Sequence, residues 1–193
     1  SRGDPLLEAD TVWCLCIMDI DSEESWDFGP DQISEGVGLL RDADLLIGHN
    51  IIFYDIPLLE RLYGEINTDV YDTLVISRLM YPDRKNHPFK GNSLECWGKY
   101  LNCKKLEYSG GWDSFDLDML FYCQQDVVVT SMIYNKQKDF VSKYSKPAKT
   151  EHSIAKIISK QIQNGIGFDL AAADDLERDL LMEKVLIEDD MAT

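Results

Sequence analysis

Two short segments hold the residue types that hydrolytic phosphate chemistry uses. His49–Asp55 (HNIIFYD) reads as a strand end, a short loop, then Tyr54 and Asp55 opening a helix. That arrangement puts a carboxylate at the carboxyl edge of a sheet, where open α/β folds collect their ligands. Tyr122–Asp126 (YCQQD) reads as helix, and residues four apart share a helical face, so phenol and carboxylate look into one space. Hard anionic oxygens bind divalent cations, and a neighbouring phenol can hydrogen-bond an attacking water. Each segment also has a plainer reading. Asp55 could cap its helix while Asn50 stabilises a turn, and Asp126 could be a solvated position ahead of the apolar run Val127–Val129.

Taken together, Asn50-x3-Tyr54-Asp55 and Tyr122-x3-Asp126 resemble the second and third exonuclease motifs of the DEDD superfamily, in its tyrosine-containing branch. The stretches between them match too. Tyr71–Leu79 (YDTLVISRL), Ser93–Trp97 (SLECW) and Gln125–Thr130 (QDVVVT) resemble the exonuclease part of family A replicative polymerases from short-tailed phages. Glu151–His152 and Lys160–Asp169 (KQIQNGIGFD) are similar to the opening helices of that family's polymerase domain.

The resemblance implies an α/β, ribonuclease H-like three-layer fold with a mixed central sheet, followed by a short helical tail. Residues 1–146 would be a 3′→5′ proofreading exonuclease domain and 147–193 the start of a polymerase domain. In that family a pair of Mg²⁺ ions, with Mn²⁺ able to substitute, sits about 3.5–4 Å apart and clamps the scissile phosphate. By resemblance the catalytic residues are Asp55, Tyr122 and Asp126. Asp126 would ligate the water-activating ion, Tyr122 would orient the water, and Asp55 would hold the second ion. Asn50 and Tyr54 would contact the substrate strand, and Asp72 would act in support. The implied partners are a single-stranded or frayed 3′ DNA end and the remainder of the polymerase chain.

One departure is plain. The family's first motif is an Asp-x-Glu whose Asp bridges both ions. Leu6–Glu8 and Val12–Asp19 resemble the residues downstream of that motif, so it is expected at or before Ser1, where the chain has only Ser1-Arg2-Gly3. Asp19-Ile20-Asp21, ending an apolar strand, is the substitute candidate. Without the motif the remaining carboxylates lose their bridging ligand, and rate and metal affinity fall together because such a site acts as a unit. Two other readings stay open: a catalytically degenerate scaffold or DNA-guiding module, and an RNA-trimming exonuclease of the same superfamily.

The elements that must position these residues come from the pattern. Thr11–Ile20 is β-branched and apolar, which predicts a buried strand. Ile33–Arg41 predicts a helix despite Gly36 and Gly38. Asp44–His49 predicts a short strand, and Asp55 with Pro57 opens a helix through Leu62. Val70–Met80 reads as a strand followed by a helix, and Ser93 as the cap of a helix over Leu94–Leu101. Phe115–Phe140 is expected to form two helices meeting near Cys123–Asp126, with Pro147 marking a boundary. Glu151–Gln163 and Leu170–Glu188 predict two more, the last carrying Leu176, Leu180, Leu181, Val185 and Leu186 on one side.

Composition sets the outer limits. With 193 residues, 45% hydrophobic and 28% charged, the chain can bury one substantial core. No apolar run approaches the roughly 20 residues of a membrane span, and no basic segment leads into an apolar one as in a secretory signal. The five cysteines form no CxxC pair; Cys14 and Cys16 alternate on one strand face as buried thiols, which fits a reducing, cytoplasmic setting. The three histidines lack ligand spacing, and Gly110–Gly111 is too short for a phosphate loop. Trp97 and Trp112 could stack on bases, although core packing is the commoner fate of Trp97. The net charge of −16 opposes tight binding of nucleic acid by this chain alone. A modest basic middle, Arg84, Lys85, Lys90, Lys104 and Lys105, runs against that balance.

Overall fold

The computed structural model describes residues 9–82, 91–103 and 108–191. The five residues of the basic middle lie outside these, as do Ser1–Gly3 and Leu6–Glu8. Four short strands occur among the described residues. β1 (Leu15–Met18) and β2 (Ser25–Phe28) form an antiparallel hairpin, while β3 (Leu45–Gly48) and β4 (Asp69–Asp72) pair in parallel. The helices are α1 (Ile33–Asp42), α2 (Asp55–Tyr63), α3 (Thr73–Met80), α4 (Leu94–Tyr100), α5 (Leu117–Lys143), α6 (Ser145–Asn164) and α7 (Leu170–Met191). The class is mixed α/β. In place of one mixed sheet, the described strands make two separate two-stranded sheets.

Strand alternation shows how these pieces are layered. Leu15, Ile17, Trp26, Leu46 and Val70 turn to one side, joining Phe28, Ile33, Val37 and Leu59 in a core beneath α1 and α2. Their neighbours turn the other way. Ile47 and Tyr71 pack with Ile76, Tyr134 and Ala148 from α3, α5 and α6, and the Cys16 thiol reaches the Leu120 carbonyl of α5 at 3.9 Å. Both short sheets are therefore covered by helices on both faces, and the shared first core ties them together. Gly36 is the reason α1 can lie so close to the hairpin: a Cβ there would meet Leu15 and Phe28 at 2.7 Å. The glycine costs roughly 1 kcal/mol of helix propensity, which this close packing offsets.

The expected break in the helix near Cys123–Asp126 is absent. α5 runs unbroken for 27 residues, with the Asp116 carboxylate capping the Met119 amide. Cys123, Gln124 and Gln125 interrupt the apolar periodicity, but none of them breaks the backbone hydrogen-bond ladder, and no Gly or Pro lies between Leu117 and Lys143. The boundary falls at Tyr144. Pro147 sits inside the first turn of α6, where its missing N–H has no intrahelical partner to lose.

The chain divides into two compact units, residues 1–159 and 160–193. α6 belongs to the first unit through Ser159, burying Ala148, Ala155 and Ser159. The second unit consists of the end of α6 and α7. None of the described α7 residues is buried, and its Leu176, Leu180, Leu181, Val185 and Leu186 are all exposed. No helix among the described residues is long and apolar enough to cross a membrane.

Candidate active site

The loop between β3 and α2 is built around Asp72. This carboxylate is fully buried at the end of β4, where it caps α3 by accepting the Leu74 and Val75 amides. It also accepts the Asn50 amide at 3.0 Å and the Ile52 amide at 3.1 Å. Four backbone donors on one carboxylate fix the loop against the strand ends. From the opposite side, Ser159 of α6 donates its hydroxyl to the Ile52 carbonyl at 2.9 Å. The Nε2 of His152 accepts the Asp72 amide, and its Nδ1 pairs with the Ala148 carbonyl. That pairing assigns the neutral tautomer with the proton on Nδ1.

Asn50 occupies the left-handed region at φ 68°, a conformation Asn tolerates better than most residues. Its carbonyl accepts the Phe53 and Tyr54 amides, which closes the turn. Tyr54 then stands at the N-cap of α2 without a capping side chain, exposed, and Asp55 is the first helical residue. Asp55 is thus not the cap of its helix. Its carboxyl is pushed up to about 6, first by desolvation and then by the Asp72, Cys123 and Asp126 charges, against an opposing pull from its own amide. The residue is exposed to solvent nonetheless. The carboxyl is therefore crowded by protein on one side and open on the other.

Asp126 of α5 is among the charges that raise the Asp55 carboxyl, after Asp72 and Cys123. Tyr122 lies one turn before Asp126 on α5. Its ring sits 6.0 Å from Tyr108 and 6.3 Å from Trp112. The Trp13 indole donates to the Trp112 carbonyl, and the Tyr108 hydroxyl is held by Gly111 and Asp116. Asp126 follows Tyr122 by one turn of α5, and its charge is felt at Asp55, which Asn50 and Tyr54 precede in the β3–α2 loop. Asp19 and Asp21 do not join them. The Asp19 carboxylate accepts the Asp21 and Ser22 amides inside the exposed β1–β2 turn, and the Ser22 amide holds it below the usual carboxylate range. Among the described residues, no three His, Cys, Asp or Glu side chains are gathered closely enough to hold a metal ion.

The chain is similar to phage DNA polymerases. It is 26% identical to the DNA-directed DNA polymerase of Escherichia phage T7 over an alignment of 236 positions, covering 91% of this chain and 34% of the phage protein. With the DNA-directed DNA polymerase of Enterobacteria phage T3 it shares 27% over 193 positions, 71% of this chain and 27% of that protein. A shorter match, 39% over 51 residues and 24% of this chain, is to the PolC-type DNA polymerase III of Lacticaseibacillus paracasei. No family model matches. The chain spans about a third or less of the length of these polymerases.

Two features escaped the sequence. Gln137, in the middle of α5, is fully buried: its amide donates to the Thr73 carbonyl and the Ser77 hydroxyl and accepts from Tyr71. Its place on the stripe of Val129 and Ile133 was the signal, since a Gln there must bring its own partners into the core. The second is Cys123, which the motif spacing passes over and the structure places against β1.

Proposed function

We propose that this chain is the 3′→5′ exonuclease portion of a phage-type family A DNA polymerase, with a ribonuclease H-like fold. Its target is the 3′-terminal nucleotide of a single-stranded or frayed DNA end. The observation that supports this reading is the raised carboxyl of Asp55 at the start of α2, which feels the charges of Asp72 on β4 and of Cys123 and Asp126 on α5. Residues 147–193 are the start of the polymerase region, and the remainder of that protein is the partner on which the exposed face of α7 rests. The place of action is the cytoplasm of the phage's host.

Asp55 and Asp126 offer the hard oxygen donors that Mg²⁺ or Mn²⁺ takes. Together they would supply half of a two-ion centre; among the described residues no group of three His, Cys, Asp or Glu side chains is arranged to hold an ion. When bound, such an ion polarises the phosphoryl group and lowers the pKa of a coordinated water. Tyr122, one turn before Asp126 on α5, would orient the attacking water, Tyr54 would offer its exposed ring to the strand, and Asp72 holds the Asn50 turn that leads to Tyr54.

That no metal-holding group of three such side chains occurs among the described residues favours a second reading, a degenerate exonuclease fold that guides DNA without cutting it. A 3′-labelled single strand incubated with this chain in Mg²⁺ or Mn²⁺ separates the two. Hydrolysis that falls by about 10²-fold or more in Asp126→Ala, and similarly in Asp55→Ala, supports the exonuclease reading. Strand binding without any hydrolysis, unchanged by either substitution, supports the guide. A preference for an RNA end over a DNA end overturns the DNA assignment.

A further inference from the structure

The two tryptophans that could stack on bases have opposite fates. Trp97 is fully buried and its indole donates to the Ser77 hydroxyl at 3.0 Å, so it belongs to the core. Trp112 is 62% exposed, in the loop that leads into α5. That loop is tied down on several sides. The Trp112 carbonyl accepts the Trp13 indole N–H at 2.9 Å, from the segment before β1. The Trp112 ring meets Tyr108 at a centroid distance of 4.9 Å and Tyr122 at 6.3 Å. The Tyr108 hydroxyl lies 2.6 Å from the Gly111 carbonyl and 2.8 Å from the Asp116 carboxylate, and Asp116 in turn caps α5 through the Met119 amide. Gly110 permits this path, because a Cβ there would collide with the Tyr108 ring. Backbone and neighbours thus hold Trp112 in place while its side chain stays in solvent.

We infer that Trp112 is a stacking platform for a nucleobase near the 3′ end of a single strand. This rests on the reading of the chain as one that takes a DNA 3′ end. The rings of Tyr108 and Tyr122 meet the indole at 62° and 77°, so neither lies flat on it. A base can take that place, in the parallel, offset arrangement that aromatic rings favour. Because the loop is already ordered, the stack forms without a large loss of chain entropy. The ligand is a base and not a phosphate. Asp113, Asp116 and Asp118 follow Trp112 closely in the chain, and together with the net charge of −16 they repel a phosphate backbone. Stacking on a π-face makes no demand on that charge, and it accepts any base, so the platform holds the strand without selecting its sequence. Its place follows from Tyr122, whose ring is its neighbour and which precedes Asp126 by one turn of α5. A base on Trp112 lies beside the residue that would orient the attacking water, which assigns it to one of the last two nucleotides.

Strand binding tests this apart from hydrolysis. The full chain is titrated, with Ca²⁺ as the ion, into a 5′-fluorescein-labelled oligothymidylate of about 16 nucleotides, and anisotropy gives Kd. Trp112→Ala is expected to weaken binding about tenfold, and Trp112→Phe, which keeps an aromatic face, by less. Both variants keep the far-ultraviolet spectrum and urea midpoint of the parent. The decisive strand has its two 3′-terminal nucleotides abasic. Parent and Trp112→Ala should bind it equally, whereas a substitution that merely distorted the loop would weaken binding of this strand as well. The salt dependence of Kd should be the same for both proteins, because no phosphate contact is lost. Equal affinity of parent and Trp112→Ala for the intact strand, or a loss that persists on the abasic one, overturns the platform; hydrolysis that still depends on Asp126 then leaves the exonuclease reading standing without it. A strand bound through Trp112 but never cut keeps the platform and sinks the exonuclease reading. A chain that binds no strand at all overturns the platform.

Discussion

At the scale of single residues, the site is organised by carboxylates placed against their own preference for water. Asp72 meets its burial with four backbone amides, so its charge is fully solvated by the protein. Asp55 has no such shell, and desolvation together with the neighbouring negative charges raises its pKa to about 6. The raised value sets the sign of its effect on stability. Below about pH 4 the carboxyl is neutral whether the chain is folded or unfolded. Between about 4 and 6 the unfolded chain ionises first, so stability is lost as pH rises through that window and stays reduced above it. Asp55→Asn is therefore expected to raise the urea midpoint at pH 7.5 and to change it little at pH 4, by an amount that solvent on the open side keeps small. Urea titrations of both proteins across pH 4–8 check this. A difference that is flat, or that grows toward acid, contradicts the crowding of Asp55. Asp55 and Asp126 are legible in the sequence as candidate carboxylates by their motif spacing. That Asp72 holds the loop is legible only as a supporting role, because its four donors come from segments the sequence keeps apart.

At the scale of elements, helix positions are legible wherever turn chemistry marks the ends. Ser93 caps the Cys96 amide as the pattern implies, and α2 begins at Asp55 as its motif suggests. The failure at α5 has a definite cause. Polar residues at Cys123–Asp126 imitate a break in the helix, although they are the positions at which it meets the site and the hairpin. The same helix is anchored by Gln137. Through Ser77, which accepts from both Gln137 and the Trp97 indole, one buried network ties α5 to α3 and α4. Gln137→Ala removes three hydrogen bonds and leaves a cavity, which should cost about 3 kcal/mol. Gln137→Glu keeps the volume but loses both amide donors and brings a charge into the core, so at pH 7.5 it should cost at least as much, with the deficit shrinking as the pH falls toward 4. Urea unfolding at the two pH values measures both. A Glu variant as stable as the parent at pH 7.5 would mean that Gln137 is not enclosed as described.

At the scale of the whole molecule, charge and hydrophobicity point the same way. A net charge of −16 suits neither a free-standing DNA-binding protein nor a tight grip on phosphates. α7 presents Leu176, Leu180, Leu181, Val185 and Leu186 without burying any of them. This amphipathic pattern is plain in the sequence, and the division of the chain after Ser159 is not, because no linker composition marks it: α6 passes through the division without a break. Since the buried side chains of α6 end at Ser159, residues beyond Asn164 should add little to the folding of the first unit. Deleting residues 165–193 is expected to leave the urea midpoint nearly unchanged while lowering the binding of an apolar dye such as ANS, because the largest run of exposed apolar side chains goes with it. Sedimentation of the parent and the deleted chain at rising concentration supplies the second readout. Self-association confined to the parent places the exposed apolar surface on α7, whereas a collapse of the midpoint on deletion would show that residues 165–193 contribute to the fold of the first unit after all.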